Sequence, residues 1–291
     1  MPDIGFIGAG TVGTALAVRL KEKGYAVTCV ASRTLASAER LAGMVEGCHV
    51  HDNNQAVAEA VEMIFITTSD DAIASVAAQV KWRHGQSVAH CSGADSLDIL
   101  NPAAEAGART GAFHPLQTFA SITHAIENIP GSTFALEAEE PLMSTLKEIA
   151  LALDGNPIEL KPGDKVIYHT AAVLACNYLV TLVKMATDLW QTFDVPPAEA
   201  TRALLPLLRG TINNLDNVGL PDCLTGPIAR GDLGTVKKHL TALEATAPEL
   251  LSAYRELGRQ TVPIARAKGK IDDQVAKELR EVLGEPIFKN K

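Results

Sequence analysis

The sequence has no run of Lys or Arg longer than the pair Lys237-Lys238, and its net charge is -8. Proteins that hold nucleic acid or an anionic membrane concentrate basic side chains, so neither is expected as a partner and a small molecule is. Cysteine is scarce and odd in number: Cys29, Cys48, Cys91, Cys176 and Cys223 lie far apart, mostly in apolar runs. This excludes a disulfide framework, offers no zinc-ligand spacing, and reads as reduced thiols in a cytosolic, cytoplasmic protein with no metal. No apolar run reaches the roughly 18 residues a membrane span requires. The first apolar run, from Ile4, has no basic leader before it, so a soluble, untargeted protein is expected. Internal repeats and low-complexity tracts are also missing. What the chain has is length: 291 residues suffice for two domains, each burying its own core without a staple.

The two halves differ in texture. Up to about residue 160, the β-type runs "DIGFIG", "AVTCVAS", "GCHVH", "EMIFITT", "QSVAHCS", "GARTGAF" and "STFALEA" alternate with Ala- and Leu-rich helical patterns. That alternation is the pattern of a doubly wound parallel sheet. Beyond "NPIEL" no convincing strand follows, and breaks at Pro196-Pro197, "VGLPDCLTGPIARGD", Ala247-Pro248 and Lys268-Gly269-Lys270 mark about five helices. The expected fold is α/β: a Rossmann domain over 1–161 followed by an all-helical domain over 162–291.

The segment "IGFIGAGTVGTALAVRLKEKGYAVTCVASRT" sets Gly8, Gly10 and Gly13 between a strand and a helix, with a second strand at the distance a βαβ unit needs. Gly8 suits a tight turn, Gly10 a close backbone approach to pyrophosphate, and Gly13 close packing of helix on sheet. Gly8, Ala9, Gly10, Thr11, Val12 and Gly13 are therefore candidate cofactor residues. At the tip of the second strand an NAD site usually offers a carboxylate, whereas this chain offers Ser32, Arg33 and Thr34. A guanidinium between two hydroxyls suits a 2′-phosphate, which favours NADP; a solvated surface arginine is the plain alternative.

Ligands of open parallel sheets bind beyond the strands' carboxyl ends. The fourth strand ends in Thr67, Thr68 and Ser69, candidates for cofactor contact, although Ser69 and Asp70 also suit a helix N-cap. The fifth ends in His90-Cys91-Ser92-Gly93, where a Ser92 hydroxyl and a Gly93 amide are placed to reach nicotinamide or substrate, or to form an ordinary turn. Cys91 has no paired base except His90, which alternation turns to the other face.

Together with the glycine motif, the strings "HCSGADSLDIL", "GAFHPLQTFA", "YHTAAVLACNYLVTL" and "LTGPIARGD" resemble a bacterial Rossmann-like family with a helical C-terminal domain of unknown function. That family is grouped with the deazaflavin-dependent NADP oxidoreductases and is more distantly similar to pyrroline-5-carboxylate reductase, ketopantoate reductase and the 6-phosphogluconate or β-hydroxyacid dehydrogenases. The resemblance spans the whole chain and implies NADP and a homodimer formed through the helical domain; it implies no particular substrate. β-Hydroxyacid dehydrogenases pair the asparagine of the first long helix with a catalytic lysine four residues earlier, and four residues before Asn177 stands Val173. Lysine-driven alcohol oxidation of that kind is not expected.

Hydride transfer needs a partner for the proton, and histidine serves near neutrality. His114 precedes Pro115, which restricts its backbone; the residue is expected in a loop after the sixth strand, either touching substrate or bracing the loop. His169 and Asn177 are eight residues apart on one helix, about 12 Å along its axis and roughly 80° around it. They are expected to border one face of a largely buried helix, with Tyr168 pointing away as packing. In "LTGPIARGD", Asp232 suits an N-cap, while Thr225, Gly226 and Arg230 occupy an irregular loop suited to an anionic substrate group or an ion pair. The expected protein is an NADP-dependent oxidoreductase acting on a small polar or anionic carbonyl, imine or hydroxy substrate in a cleft between the domains. Ser92, His114, His169 and Asn177 are the catalytic candidates, and Gly93, Thr225, Gly226 and Arg230 the substrate contacts. Which histidine carries the proton is open, and so is a non-catalytic NADP(H)-binding sensor or assembly protein.

Overall fold

The computed structural model describes residues 2–284. The first half runs β1 (Ile4–Ile7), α1 (Thr11–Glu22), β2 (Val27–Ala31), α2 (Leu35–Met44), β3 (His49–Val50), α3 (Asn54–Ala60), β4 (Met63–Ile66), α4 (Asp70–Gln79) and β5 (Ser87–His90). It continues through α5 (Asn101–Glu105), β6 (Arg109–Leu116), α6 (Ile122–Asn128), β7 (Thr133–Ala138), α7 (Leu142–Ala152) and β8 (Asn156–Glu159). Then come α8 (Lys165–Ala172), a π-helical segment (Val173–Asn177), α9 (Tyr178–Gln191), α10 (Pro197–Val218), α11 (Leu233–Thr246), α12 (Leu251–Ala267) and α13 (Asp273–Leu283). The chain divides into two compact units, Met1–Asn177 and Tyr178–Lys291.

The first unit holds one sheet in the order β3-β2-β1-β4-β5-β6-β7-β8. Every neighbouring pair is parallel except β6 and β7, so the sheet is mostly rather than wholly parallel. Strands read as near-continuous apolar runs because helices cover both faces: Phe6, Phe65, Phe113 and Phe134 lie in one core, Ile7, Ile64, Ile66 and Val88 in the other. The four phenyl rings form a row, with centroids 5.5, 5.4 and 4.7 Å apart. Phe65 reaches Phe113 across β5 because β5 presents Ala89 between them, paired with Phe65 on one side and Gly111 on the other. β1, β4, β5 and β6 run parallel and end at one edge, on either side of the reversal in strand order, where Rossmann-type sheets bind ligands.

β6 corrects one expectation: it continues through His114 and Pro115 to Leu116, pairing antiparallel with β7 (His114 opposite Ala135, Pro115 opposite Phe134). His114 is thus held by a strand and not by a loop. A ladder position that needs no N–H donor admits proline within a strand.

The second unit is helical among the described residues, and its breaks fall at the Pro, Gly and loop positions read from sequence. Asp232 caps α11, its carboxylate accepting the Thr235 amide at 2.9 Å. Ile228, Val236, Leu240, Val262, Ala265 and Leu279 form its core. α9 and α10 pack on one another, yet much of their apolar surface stays open: Val180 is 69 % exposed and Leu207 68 %.

Two further expectations are corrected by the helix spanning Lys165–Gln191. It is 27 residues long with a mean hydropathy of 1.7 over its most apolar window, enough by length and composition alone to cross a membrane. A search for unbroken apolar runs misses it because small polar residues such as Thr170, Asn177 and Thr181 interrupt the string without lowering its mean. Nor is the helix buried: Val166, Ile167 and Leu174 are exposed, Ile167 by 74 %.

Candidate active site

At the end of β1, Gly8 has φ +107°, and a Cβ there would lie 2.6 Å from the Thr67 carbonyl carbon and the Thr68 amide nitrogen. A Cβ on Gly13 would collide with Thr67 Oγ1 and stand 2.7 Å from the Gly8 carbonyl oxygen, so only glycine lets α1 sit this close to the β4 tip. Gly10 differs: its nearest neighbour would be the Thr67 carbonyl oxygen at 3.9 Å, leaving open space before the first amides of a twelve-residue helix with no capping side chain and no acid in its first turn. Such amides attract a phosphate. Thr67 serves the loop itself, donating its hydroxyl hydrogen to the Gly8 carbonyl at 2.8 Å, whereas the buried Thr68 hydroxyl has no partner among the described residues. Ser69 occupies the N-cap of α4 without making the side-chain cap bond. Beyond β2, Ser32 is half-buried and Arg33 and Thr34 are exposed. Arg40 of α2, which sequence reasoning passed over, donates to the Ala9 carbonyl at 3.2 Å and brings a second guanidinium to the glycine loop. The open cradle at Gly10, the uncapped amides and the orphaned Thr68 hydroxyl fit a dinucleotide.

Two strands along, the β5 tip forms a second assembly. A Cβ on Gly93 would lie 2.5 Å from His169 Cδ2 and 2.8 Å from His114 Nε2, so both imidazoles close over the bare Gly93 backbone. Their centroids are 6.1 Å apart at 76°. His114 Nδ1 lies 2.8 Å from the Tyr168 hydroxyl, in a hydrogen bond whose direction depends on the imidazole tautomer. Tyr168 is therefore a member of the site rather than packing. Burial first, then the charge of Lys165 and the neighbouring His169, hold His114 down at about 4, so it is uncharged near neutrality. Burial pushes the Tyr168 phenol up to about 12.

Ser92, 3 % exposed, is spent on its own turn. Its hydroxyl donates to Asp95 Oδ2 at 2.8 Å and accepts from the amides of Ala94 and Asp95 at 3.3 and 3.1 Å. Behind it, His90 Nδ1 accepts the Ser92 amide at 3.2 Å. Burial drives the Cys91 thiol up to about 12, which disqualifies it as a thiolate nucleophile at neutral pH.

Sequence reasoning missed Lys165. It is 2 % exposed, the first residue of the helix that carries Tyr168 and His169, and its ammonium donates to the Ser92 carbonyl at 2.7 Å. Glu137, buried on β7, is the carboxylate whose charge most favours the ammonium, and its Oε2 has no hydrogen-bond partner among the described residues. A lysine twelve places before Asn177 answers no familiar spacing; the remaining signal was its place at the head of the helix, three and four residues before Tyr168 and His169.

His169 and Asn177 do not share a buried face. His169 is half-buried over Gly93, Asn177 is exposed, and the π-helical segment between them shifts the helical phase on which that expectation relied. Thr225, Gly226 and Arg230 belong to the second unit. There Gly226 takes φ +97°, Thr225 and Arg230 are exposed, and Lys268 fastens the loop through the Asp222 and Leu224 carbonyls at 2.6 and 2.8 Å.

Family profiles match two parts of the chain: a Rossmann-like domain over residues 2–115 and the domain of unknown function DUF2520 over residues 132–261. No curated protein sequence matches. Among solved structures, a Bacteroides fragilis protein assigned as an NADP oxidoreductase is 25% identical, with TM-score 0.71, over 93% of this chain and 98% of its own. A reductive aminase from Aspergillus terreus, in complex with NADPH and ethyl-5-oxohexanoate, is 18% identical with TM-score 0.61, covering 97% of this chain and 92% of that one. A pyrroline-5-carboxylate reductase from Coxiella burnetii is 17% identical with TM-score 0.59 over 97% and 98%. At these last identities the likeness is one of fold. The chain thus carries a match to a Rossmann-like domain followed by a match to the DUF2520 domain.

Proposed function

We propose that this protein is an NADP(H)-dependent oxidoreductase moving hydride to or from a small polar or anionic carbonyl, imine or hydroxy substrate held beside Gly93, His114 and His169. The observation that carries the reading is that one sheet edge holds both an open glycine cradle after β1 and, beyond β4, the imidazole pair over Gly93. Bound NADP(H) supplies or accepts the hydride. Arg33, with Ser32 and Thr34, meets the 2′-phosphate; the first amides of α1 and the Thr68 hydroxyl meet the rest of the cofactor.

The proton is the task of His114. Uncharged near neutrality, it takes the substrate's hydroxyl or amine proton at Nε2 as hydride leaves carbon; in the reducing direction it first takes a proton from solvent at Nε2 and passes it to the substrate. Nδ1–H donates to the Tyr168 oxygen, which fixes the tautomer and leaves Nε2 as the free base. His169 borders the same glycine and orients the substrate. Ser92 holds the turn and Asn177 stands as a further substrate contact, while in the second unit Thr225, Gly226 and Arg230 form a loop of their own suited to an anionic group.

The protein acts as a homodimer, a second copy covering the apolar side chains of α9 and α10, since Val180, Leu207, Ile212 and Leu215 on these packed helices are left open to water, which disfavours them. Its five free thiols suit the cytoplasm. Analytical ultracentrifugation should give a dimer that Leu207→Asp dissociates; a wild-type monomer overturns this part.

Turnover of NADPH with keto acids, imines and oxidised deazaflavin, and of NADP with hydroxy acids and amines, tests the main reading. Oxidation or reduction of the cofactor with one class, lost in His114→Asn, is the expected result. Tight NADPH binding without turnover across the panel overturns it and favours a sensor.

A further inference from the structure

We infer that Lys165 is a positioning residue of this site: buried against the Ser92 carbonyl, it ties the helix bearing Tyr168 and His169 to the β5 tip and holds the Gly93 peptide under the two imidazoles, with its positive charge inside the same assembly. The inference rests on the proposed reading only for the use made of His114.

Three observations converge on it. Lys165 starts α8, so its backbone is continuous with Tyr168 and His169, one helical turn further on. Its side chain crosses to the β5 tip and bonds the Ser92 carbonyl at 2.7 Å, so one residue joins the helix bearing Tyr168 and His169 to the turn on which both imidazoles rest. A lysine 2 % exposed must have its charge compensated within the protein, and the groups facing it are placed for that. Glu137 stands on β7, Cys91 and Asp95 at the β5 tip, and Asp70 at the start of α4. On the opposite side of the balance, His90 of β5 and His114 of β6 both feel the ammonium and are disfavoured as cations by it. Burial lowers Lys165 itself to about 8, so at neutral pH it keeps its charge and loses it on the alkaline side.

The ammonium donates to Ser92 and repels a second proton on His114. Positive charge near an imidazole favours the neutral form, as does burial, and the two together leave a base whose lone pair is available near pH 7. Glu137 offsets the ammonium at a distance without forming a contact pair: no salt bridge to it occurs among the described residues.

Nuclear magnetic resonance titration of the full-length protein labelled at histidine reads the inference without needing any substrate. In Lys165→Met the His114 resonance should titrate at least one pH unit higher than in wild type, while Lys165→Arg, which keeps the charge, should leave it low. NADPH affinity, read by fluorescence, serves as the control for folding. An unchanged His114 titration in folded Lys165→Met overturns the inference, whether or not the protein proves to be an oxidoreductase. If Lys165→Met does not fold, Glu137→Gln decides: the Lys165 transition, followed by 15N detection, should move down because its chief compensating charge is gone. An unmoved transition overturns the inference equally.

Discussion

The ring nitrogen of His114 on β6 and the hydroxyl of Tyr168 on α8 meet at 2.8 Å, with the two rings nearly perpendicular at 88°. Each holds the other in one orientation, and the pair leaves the opposite edge of the imidazole facing Gly93. With Nδ1–H as the donor, removing the hydroxyl strands a buried N–H, a loss of about 1–3 kcal/mol, or roughly five- to 150-fold in rate. Tyr168→Phe should therefore lower kcat by that factor and leave NADPH affinity unchanged, while His114→Asn should cost about 10²–10⁴. Equal rates in wild type and Tyr168→Phe would show that the hydroxyl does not hold the tautomer.

Gly93 has no room for a methyl group. Alanine would press on His169 Cδ2 at 2.5 Å and His114 Nε2 at 2.8 Å, and displacing either ring opens the assembly. Overpacking of this kind costs about 1–3 kcal/mol. Gly93→Ala should lower Tm measurably and abolish most turnover, yet bind NADPH through an intact glycine loop. Retained turnover would place the chemistry away from the two histidines.

The three glycines of the first loop should respond differently to the same change. Gly13→Ala drives a methyl into Thr67 and the Gly8 carbonyl, so it should destabilise the fold and weaken NADPH together. Gly10→Ala meets nothing nearer than 3.9 Å and should leave folding stability within about half a kcal/mol of wild type while weakening NADPH, because its methyl enters the space reserved for pyrophosphate. Thermal melts and fluorescence titrations on the two variants separate packing from binding; unaltered NADPH affinity in Gly10→Ala would move the cofactor elsewhere. Arg33→Ala should narrow the preference for NADP over NAD, and an unchanged ratio would shift that role to Arg40.

The order of strands and helices was legible because apolar runs, turn residues and helix caps are local signals. The extension of β6 through Pro115 was not, since the strand is completed by antiparallel pairing with β7, a partner that a local reading cannot supply. The glycine cradle was legible for the same local reason, and His114 stood out because a His-Pro pair is uncommon in a strand-like segment. Lys165, Glu137 and Tyr168 stayed hidden. Lys165 and Glu137 occupy positions that read as solvated charges, and their burial follows from how β7, the β5 tip and α8 come together. Tyr168 was set aside because it neighbours His169 on a helix and so points in another direction. His114 lies between those directions, bonded to one ring and packed against the other.

The buried bases set a pH dependence of stability whose sign is fixed. Histidine ordinarily titrates near 6.5; burial, then Lys165, hold His90 at about 3 and His114 at about 4 in the folded protein. Between pH 6.5 and about 4 the unfolded chain binds protons that the folded chain refuses, so stability is full above that window and is lost as pH falls through it. Lys165 acts with the same sign at the alkaline end: between about 8 and 10.5 only the unfolded chain keeps its proton, so its contribution rises with pH there. Tm should fall as pH is lowered from 7 to 4, and fall less steeply in His114→Asn, which has no imidazole to protonate on unfolding. Parallel slopes for the two proteins would mean that His114 titrates alike in both states, and with that its role as a base held neutral by burial and Lys165 would fail.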